Sequence, residues 1–202
     1  MFDVTILNTV AFFLVVLAVI YGGFSWQFGK LIQPNYKRLS YYISLFTLFG
    51  VVGEVFVNTL FKYLFSSGLW EYHLYPAHNG DISYFFFGIW GTLGFYTYFR
   101  DYFFRGRSNK NALYSGLILG SEAMLIEIFA NGSFYYLFGN YIFYYFPTNL
   151  GYFSHFSCLE VVPCYIAVGY GTTRLIWQQE ELQYRGFRTT LIFYWMIISS
   201  SR

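Results

Sequence analysis

Apolar residues run along this chain in long unbroken stretches instead of alternating with polar ones. A spanning helix needs roughly 20 mostly apolar residues, and five stretches approach or exceed that: Ile6 to Trp26, Tyr41 to Phe61, Ile82 to Phe99, Leu113 to Leu137 and Tyr152 to Tyr170. A sixth run, Thr189 to Ser199, lies between Arg188 and Arg202 and is short for a full crossing. Strands of a membrane β-barrel alternate lipid-facing and lumen-facing residues over about ten positions, and continuous runs do not fit that pattern. The expected fold is therefore an all-α integral membrane protein, residues 1–202 forming one domain with five to six transmembrane helices.

Composition strengthens this reading. The 202 residues are 56% hydrophobic, 26% aromatic and 11% charged, far from the quarter of charged residues typical of soluble domains. The net charge of +2 comes with no basic run or stripe, which argues against a nucleic-acid partner and leaves the lipid bilayer as the expected one. Positive charge falls in alternate connections: Lys30, Lys37 and Arg38, then Arg100, Arg105, Arg107 and Lys110, then Arg174, Arg185 and Arg188. Those connections are placed in the cytoplasm. The segments around Ser66 to Asp81 and Gly139 to Leu150 have neither Lys nor Arg and are rich in aromatics, as interfacial segments on the outer side are. A multi-pass chain with its N-terminus outside follows, and the first segment, preceded by Asp3 and no basic residue, is expected to stay in the membrane.

A pattern recurs inside the chain. Glu54-Val-Phe-Val-Asn58 and the aromatic run to Phe65 reappear as Glu127-Ile-Phe-Ala-Asn131 and the run to Phe138. Each copy leads into an aromatic loop ending in proline, Pro76 or Pro147, and then into Gly80 to Ser83 or Gly151 to Ser154 ahead of another apolar stretch. The pattern predicts an internal two-helix repeat, units 41–100 and 112–174, about an axis along the membrane normal.

Acids are costly in hydrocarbon and by default mark function. Glu54, Glu127 and Glu160 fall inside predicted spans, and Asn58 and Asn131 share a helical face with the first two at i and i+4. These five are the candidate catalytic residues, with Trp70, Trp90 and His155 as candidate substrate contacts. Mutual repulsion divides a close carboxyl pair into a proton donor and a proton acceptor, which suits acid–base chemistry; the bland alternative is hydrogen bonding between helices. Glu122 sits on a different face from Glu127. Pro163 should kink the fifth span beside Glu160. Glu71, His73, His78 and Asp81 match no zinc signature, so no metal site is assigned. His155 alone is a weak candidate for ligating a pigment. Cys158 and Cys164, six apart on a helix, are too far apart to close a disulfide. Phosphate loops, dinucleotide fingerprints and nucleophile elbows are missing from the sequence, and the sequence leaves the cofactor open.

Glu54 with its aromatic run, Gly68-Leu-Trp70-Glu-Tyr72, Pro76, Gly80 and a following span with Trp90 resemble the small multi-pass membrane enzymes of carotenoid and isoprenoid metabolism, lycopene-cyclase-like proteins among them. The resemblance covers one helix pair. Those families carry a Pro-x-Glu-Glu-type element after the aromatic loop, where this chain has the acid-free Ser83 to Trp90. It implies an acid-initiated reaction on a long apolar polyene, here resting on Glu54, Glu127 and Glu160. A non-catalytic transmembrane subunit of a larger complex, holding partner subunits, lipids or pigments, and a small cation- or proton-coupled transporter module are the alternatives.

Overall fold

The computed structural model describes residues 5–104, 112–147, 151 and 153–178, and is mostly helical. Five helices are described: α1 (Ile6–Gln27), α2 (Tyr36–Phe65), α3 (Phe86–Phe104), α4 (Ala112–Phe138) and α5 (Val162–Gln178). Of these, α1, α2 and α4 are long and apolar enough to cross a membrane. Four short strands accompany them: β1 (Trp70–Tyr72), β2 (Ala77–His78), β3 (Ile82–Ser83) and β4 (Phe143–Tyr145). The Thr189 to Ser199 run and Arg105, Arg107, Lys110, Arg185 and Arg188 lie outside the described residues.

Local chemistry fixes the helix ends. Thr5 Oγ1 accepts from the Asn8 N–H (3.1 Å) at the start of α1, and Asn35 Oδ1 accepts from the Arg38 N–H (3.1 Å) at the start of α2. At their C-termini, α2 and α4 stop at left-handed residues, Ser66 (φ 60°) and Gly139 (φ 67°). Their N–H groups close back on the Lys62 and Tyr135 carbonyls.

The packing pairs α2 with α3 and α4 with α5, while α5 also meets α2 and α1 lies on α3. Glycines permit two of these approaches. A Cβ on Gly94 of α3 would stand 2.8 Å from the Ile43 Cα and the Tyr42 carbonyl of α2, and one on Gly116 of α4 would stand 2.9 Å from the Tyr170 nitrogen of α5. On the side away from the strands, Arg38 of α2 bonds Asp101 of α3 at 2.8 Å, and the Tyr42 hydroxyl donates to the same carboxylate.

Three expectations change. The Ile82 to Phe99 stretch is not one helix, because Ile82 and Ser83 pair as a strand with Ala77 and His78 and the Ser83 hydroxyl takes the Phe85 N–H (3.1 Å) just before α3 begins. The Tyr152 to Tyr170 stretch becomes helical only at Leu159–Val161, a 3-10 turn, and then α5. Ser154 (φ 51°) and His155 (φ 69°) are left-handed, which no α-helix accommodates. Pro163 consequently sits in the first turn of α5, where the missing N–H has no helical partner to lose, and it makes no kink. The aromatic segments between helices are also not superficial. Leu69, Tyr72, Leu74 and Ile142 are among the most buried residues described, and β1 and β4 pair antiparallel with Trp70 opposite Tyr145 and Tyr72 opposite Phe143.

The glycine contacts give a direct test. Gly94→Ala should lower stability by about 1–3 kcal/mol through overpacking, whereas Gly132→Ala, with open space around its Cβ, should raise it by about 0.5–1 kcal/mol. Melting in detergent reads both; equal melting temperatures would contradict the close α2–α3 approach.

Candidate functional site

The face of α2 that carries Glu54 and Asn58 and the face of α4 that carries Glu127 and Asn131 both turn inward. Both asparagines are fully buried and both glutamates are 8% exposed. Each asparagine holds the chain that follows its own helix. Asn58 Oδ1 accepts from the Leu69 N–H (2.8 Å) and its Nδ2 donates to the Trp70 carbonyl (3.2 Å). Asn131 does the same at the same spacing, accepting from the Ile142 N–H (2.9 Å) and donating to the Phe143 carbonyl (2.7 Å). Each also reaches further along the same connection: Asn58 donates to Asp81 (2.5 Å) and Asn131 to the Phe156 carbonyl (3.2 Å).

With its first residues pinned this way, each loop delivers a tyrosine to the glutamate one turn back. The Tyr72 hydroxyl donates to Glu54, and the Tyr145 hydroxyl, at the same eighteen-residue separation, donates to Glu127 at 2.6 Å. The backbone repeats this correspondence. His73 N–H donates to the Ile142 carbonyl and Phe146 N–H to the Leu69 carbonyl, both at 3.1 Å. Tyr72 N–H reaches the Gly80 carbonyl (2.8 Å) and Tyr145 N–H the His155 carbonyl (3.2 Å). The left-handed pair Asn79 and Gly80 matches the left-handed pair Ser154 and His155.

The two carboxyls differ in what else they meet. Glu127 accepts two further hydrogen bonds, from Tyr165 of α5 (2.6 Å) and from Ser157 (2.5 Å), so both of its oxygens are engaged. Glu54 keeps one oxygen, Oε2, without a hydrogen bond among the described residues. Trp90 of α3 faces Glu54, its indole N–H interacting with that carboxyl without closing a well-formed hydrogen bond, and the Trp70 indole nitrogen is buried with no hydrogen-bond partner among the described residues. Two small cavities flank the pair, of about 60 and 30 Å³, and both carboxyls line both of them. Trp90, Phe143 and Tyr165 form walls common to the two.

Of the candidates named from sequence, Glu54, Glu127 and Trp90 line both cavities and Trp70 the smaller one, whereas Asn58 and Asn131 line neither and bond the loop backbone instead. Glu160 does not join them: it lies in the 3-10 turn ahead of α5, next to Cys158. His155 is a loop residue, its Nδ1 bonded to the Tyr145 carbonyl (2.7 Å) and its Nε2 to the Tyr144 hydroxyl (2.9 Å). Those bonds hold a left-handed histidine in place and occupy both ring nitrogens. Glu122 pairs with Arg100 of α3 at 2.5 Å. Among the former metal candidates, His73 stacks on Tyr144 and Asp81 takes Asn58 and Lys62 (2.5 Å). Cys158 and Cys164 are both free thiols. Sequence reasoning missed Tyr72, Tyr145, Tyr165 and Ser157. The equal spacing from Glu54 to Tyr72 and from Glu127 to Tyr145 was the available signal for two of them.

No protein-family model, curated protein or solved structure matches this chain.

The asparagine clamps carry a stability prediction. Asn131→Ala strands the Ile142 N–H and two carbonyls in a dry interior, and at about 1–3 kcal/mol for an unsatisfied buried group the loss should reach about 3 kcal/mol or more. Asn140→Ala, which removes two partly buried bonds, to the His73 carbonyl and from the adjacent Tyr141 N–H, should lose less, about 1–2 kcal/mol. Denaturation of the two variants side by side checks the ranking, and an equal loss would contradict the clamp.

Proposed function

We propose that this chain is a multi-pass integral membrane enzyme that performs acid–base chemistry on a lipid-soluble, isoprenoid-like substrate at Glu54 and Glu127. The observation that carries the reading is the unequal pair of buried carboxyls lining the same aromatic-walled cavities. Three hydroxyl donors stabilise the ionised form of Glu127, the proton acceptor. Glu54, with one tyrosine hydroxyl and only the loosely placed Trp90 indole beside it, is the proton donor. Glu54 protonates a carbon–carbon double bond, and the cation so formed faces the π surfaces of Trp90 and Phe143. Glu127 then removes a proton from a neighbouring carbon. One C–H bond forms and one breaks, the substrate isomerises or closes a ring without change of oxidation state, and the proton passes back from Glu127 to Glu54. The resemblance to lycopene-cyclase-like enzymes points to the same substrate class.

In this reading the chain is a duplicated helix pair, α2–α3 and α4–α5, related by a twofold axis along the membrane normal, with α1 added at the flank. What supports it is the set of matched bonds at Asn58 and Asn131, at Tyr72 and Tyr145, and across the β1–β4 ladder, in which Glu71 stands opposite Tyr144. All five described helices cross the bilayer in this arrangement. The N-terminus and the strand layer lie outside and the Lys30 to Arg38 connection inside, as the charge asymmetry favours.

Glu54→Gln and Glu127→Gln test the chemistry, because the amide keeps shape and hydrogen bonding while ending proton transfer. With an isoprenoid substrate in membranes, turnover should fall by roughly a hundredfold or more in either variant, with melting displaced by no more than about 1 kcal/mol. Full turnover in both would favour a non-catalytic subunit, in which the glutamates only join helices.

A further inference from the structure

The two cavities beside the carboxyls are too small to hold a whole lipid-soluble substrate, so the remainder of such a molecule needs a place. Helix α1 supplies one by the way it crosses the bundle. Its first half rests on both α4 and α3, through Phe12 against Phe134 (ring centroids 5.1 Å) and Phe13 against Gly88, whereas its second half rests on α3, through Phe24 against Tyr96 (5.7 Å) and Phe99 (5.9 Å). The departure from α4 leaves a wedge between the second half of α1 and α4, floored by α3. That wedge is a wide-open groove of about 500 Å³, comparable in volume to ligand sites of roughly 300–1,000 Å³. Val19, Ile20 and Gly23 form one wall, and Tyr96, Arg100 and Glu122 the floor and the other.

The groove and the carboxyl layer follow one another along the same three helices. Phe13 and Val16 of α1, Trp90 and Leu93 of α3, and Ile126 and Glu127 of α4 line the 60 Å³ cavity; a turn further on, Val19, Tyr96 and Glu122 line the groove. Trp90 and Tyr96 are roughly 9 Å apart along α3.

Two features define the occupant. Arg100, 6% exposed, is held by Glu122 at 2.5 Å and by the Ser115 hydroxyl at 3.3 Å. The groove therefore carries a polar group at its floor with no net charge. A phosphate head would meet the Glu122 carboxylate, and an ammonium head would meet the Arg100 guanidinium, whereas a hydroxyl or carbonyl can hydrogen-bond there without opposing either. Gly23, in turn, has nothing among the described residues within 4 Å of where its Cβ would be, so an apolar chain can lie against the backbone of this α1 wall.

We propose that the α1–α3–α4 groove binds a single-chain apolar lipid with an uncharged oxygen head, the head at Arg100 and Glu122 and the chain directed toward Glu54 and Glu127. The direction of the chain rests on the acid–base reading; the occupancy of the groove does not.

A photoactivatable geranylgeraniol analogue with a diazirine on its chain, added to the purified full chain in detergent, tests this. Crosslinks should map to the second half of α1 and to α3 near Tyr96, and unlabelled alcohol should compete them away. Gly23→Leu should reduce labelling about tenfold or more, whereas Gly22→Leu, also with nothing within 4 Å but outside the groove lining, should leave it unchanged. Val19→Phe, at a position 68% exposed that lines the same groove, repeats the block without touching the glycine. The same chain with a phosphate head should label about tenfold less. Equal labelling of the Gly23 and Gly22 variants, or phosphate-headed labelling as strong as that of the alcohol, overturns the proposal. Glu54→Gln and Glu127→Gln should keep full labelling. Blocked labelling in Gly23→Leu with turnover intact in the Gln variants would thus remove the acid–base reading and leave the groove standing.

Discussion

A backbone that leaves its helix within an apolar surrounding has to find a partner for each N–H and C=O group, because no water is at hand to supply one. Much of this structure follows from that constraint. The segments after α2 and α4 turn back among the helices, and three sets of partners satisfy them: the β1–β4 ladder, the left-handed turns at Gly80 and His155, and the Asn58 and Asn131 carboxamides. An asparagine is well suited to the task, since one side chain both accepts from a peptide N–H and donates to the next peptide carbonyl. With the loop origin fixed one helical turn from the glutamate, Tyr72 and Tyr145 arrive at Glu54 and Glu127 as a geometric consequence.

The two carboxyl surroundings are not equal, and the proposed chemistry rests on that inequality. Where α3 presents Trp90 beside Glu54, α5 presents the Tyr165 hydroxyl to Glu127, and Ser157 completes the coordination of Glu127 alone. An indole nitrogen with no well-formed bond and an open carboxyl oxygen remain on the Glu54 side. In the proposed duplication, two sites that began alike have diverged in their donor count, and a difference in hydrogen-bond donors between neighbouring carboxyls is what separates a proton donor from an acceptor. The flanking helix α1 adds a second inequality, by following α3 and meeting α4 at its first half.

Length and hydropathy were enough to locate α1, α2 and α4 in the sequence, and the i, i+4 placement of Glu54 with Asn58 and of Glu127 with Asn131 was enough to bring those residues together. The starts of α3 and α5 were misplaced because the chain before them is as apolar as a helix. Ile82 spends its apolarity in a strand, and the residues before Leu159 in a buried loop, so hydropathy alone cannot tell either from a span. Ser154 and His155 give no residue-type warning of left-handed backbone, as a glycine would. That concealed turn is what carried Glu160 and His155 out of the expected carboxyl layer. The hydroxyl ligands were hidden by abundance: with 22 tyrosines in the chain, nothing but the repeat marked Tyr72 and Tyr145, and nothing marked Tyr165.

In the proposed site, Glu54 and Glu127 differ in protonation because they differ in hydrogen-bond donors. Infrared difference spectroscopy of the full chain in lipid, at neutral pH, reads this without a substrate. A protonated carboxyl absorbs separately from a carboxylate, and the account predicts a carboxylic C=O band that disappears in Glu54→Gln, together with a carboxylate band that disappears in Glu127→Gln. A carboxylic band lost in Glu127→Gln and kept in Glu54→Gln, or carboxylate signals from both residues, would contradict it.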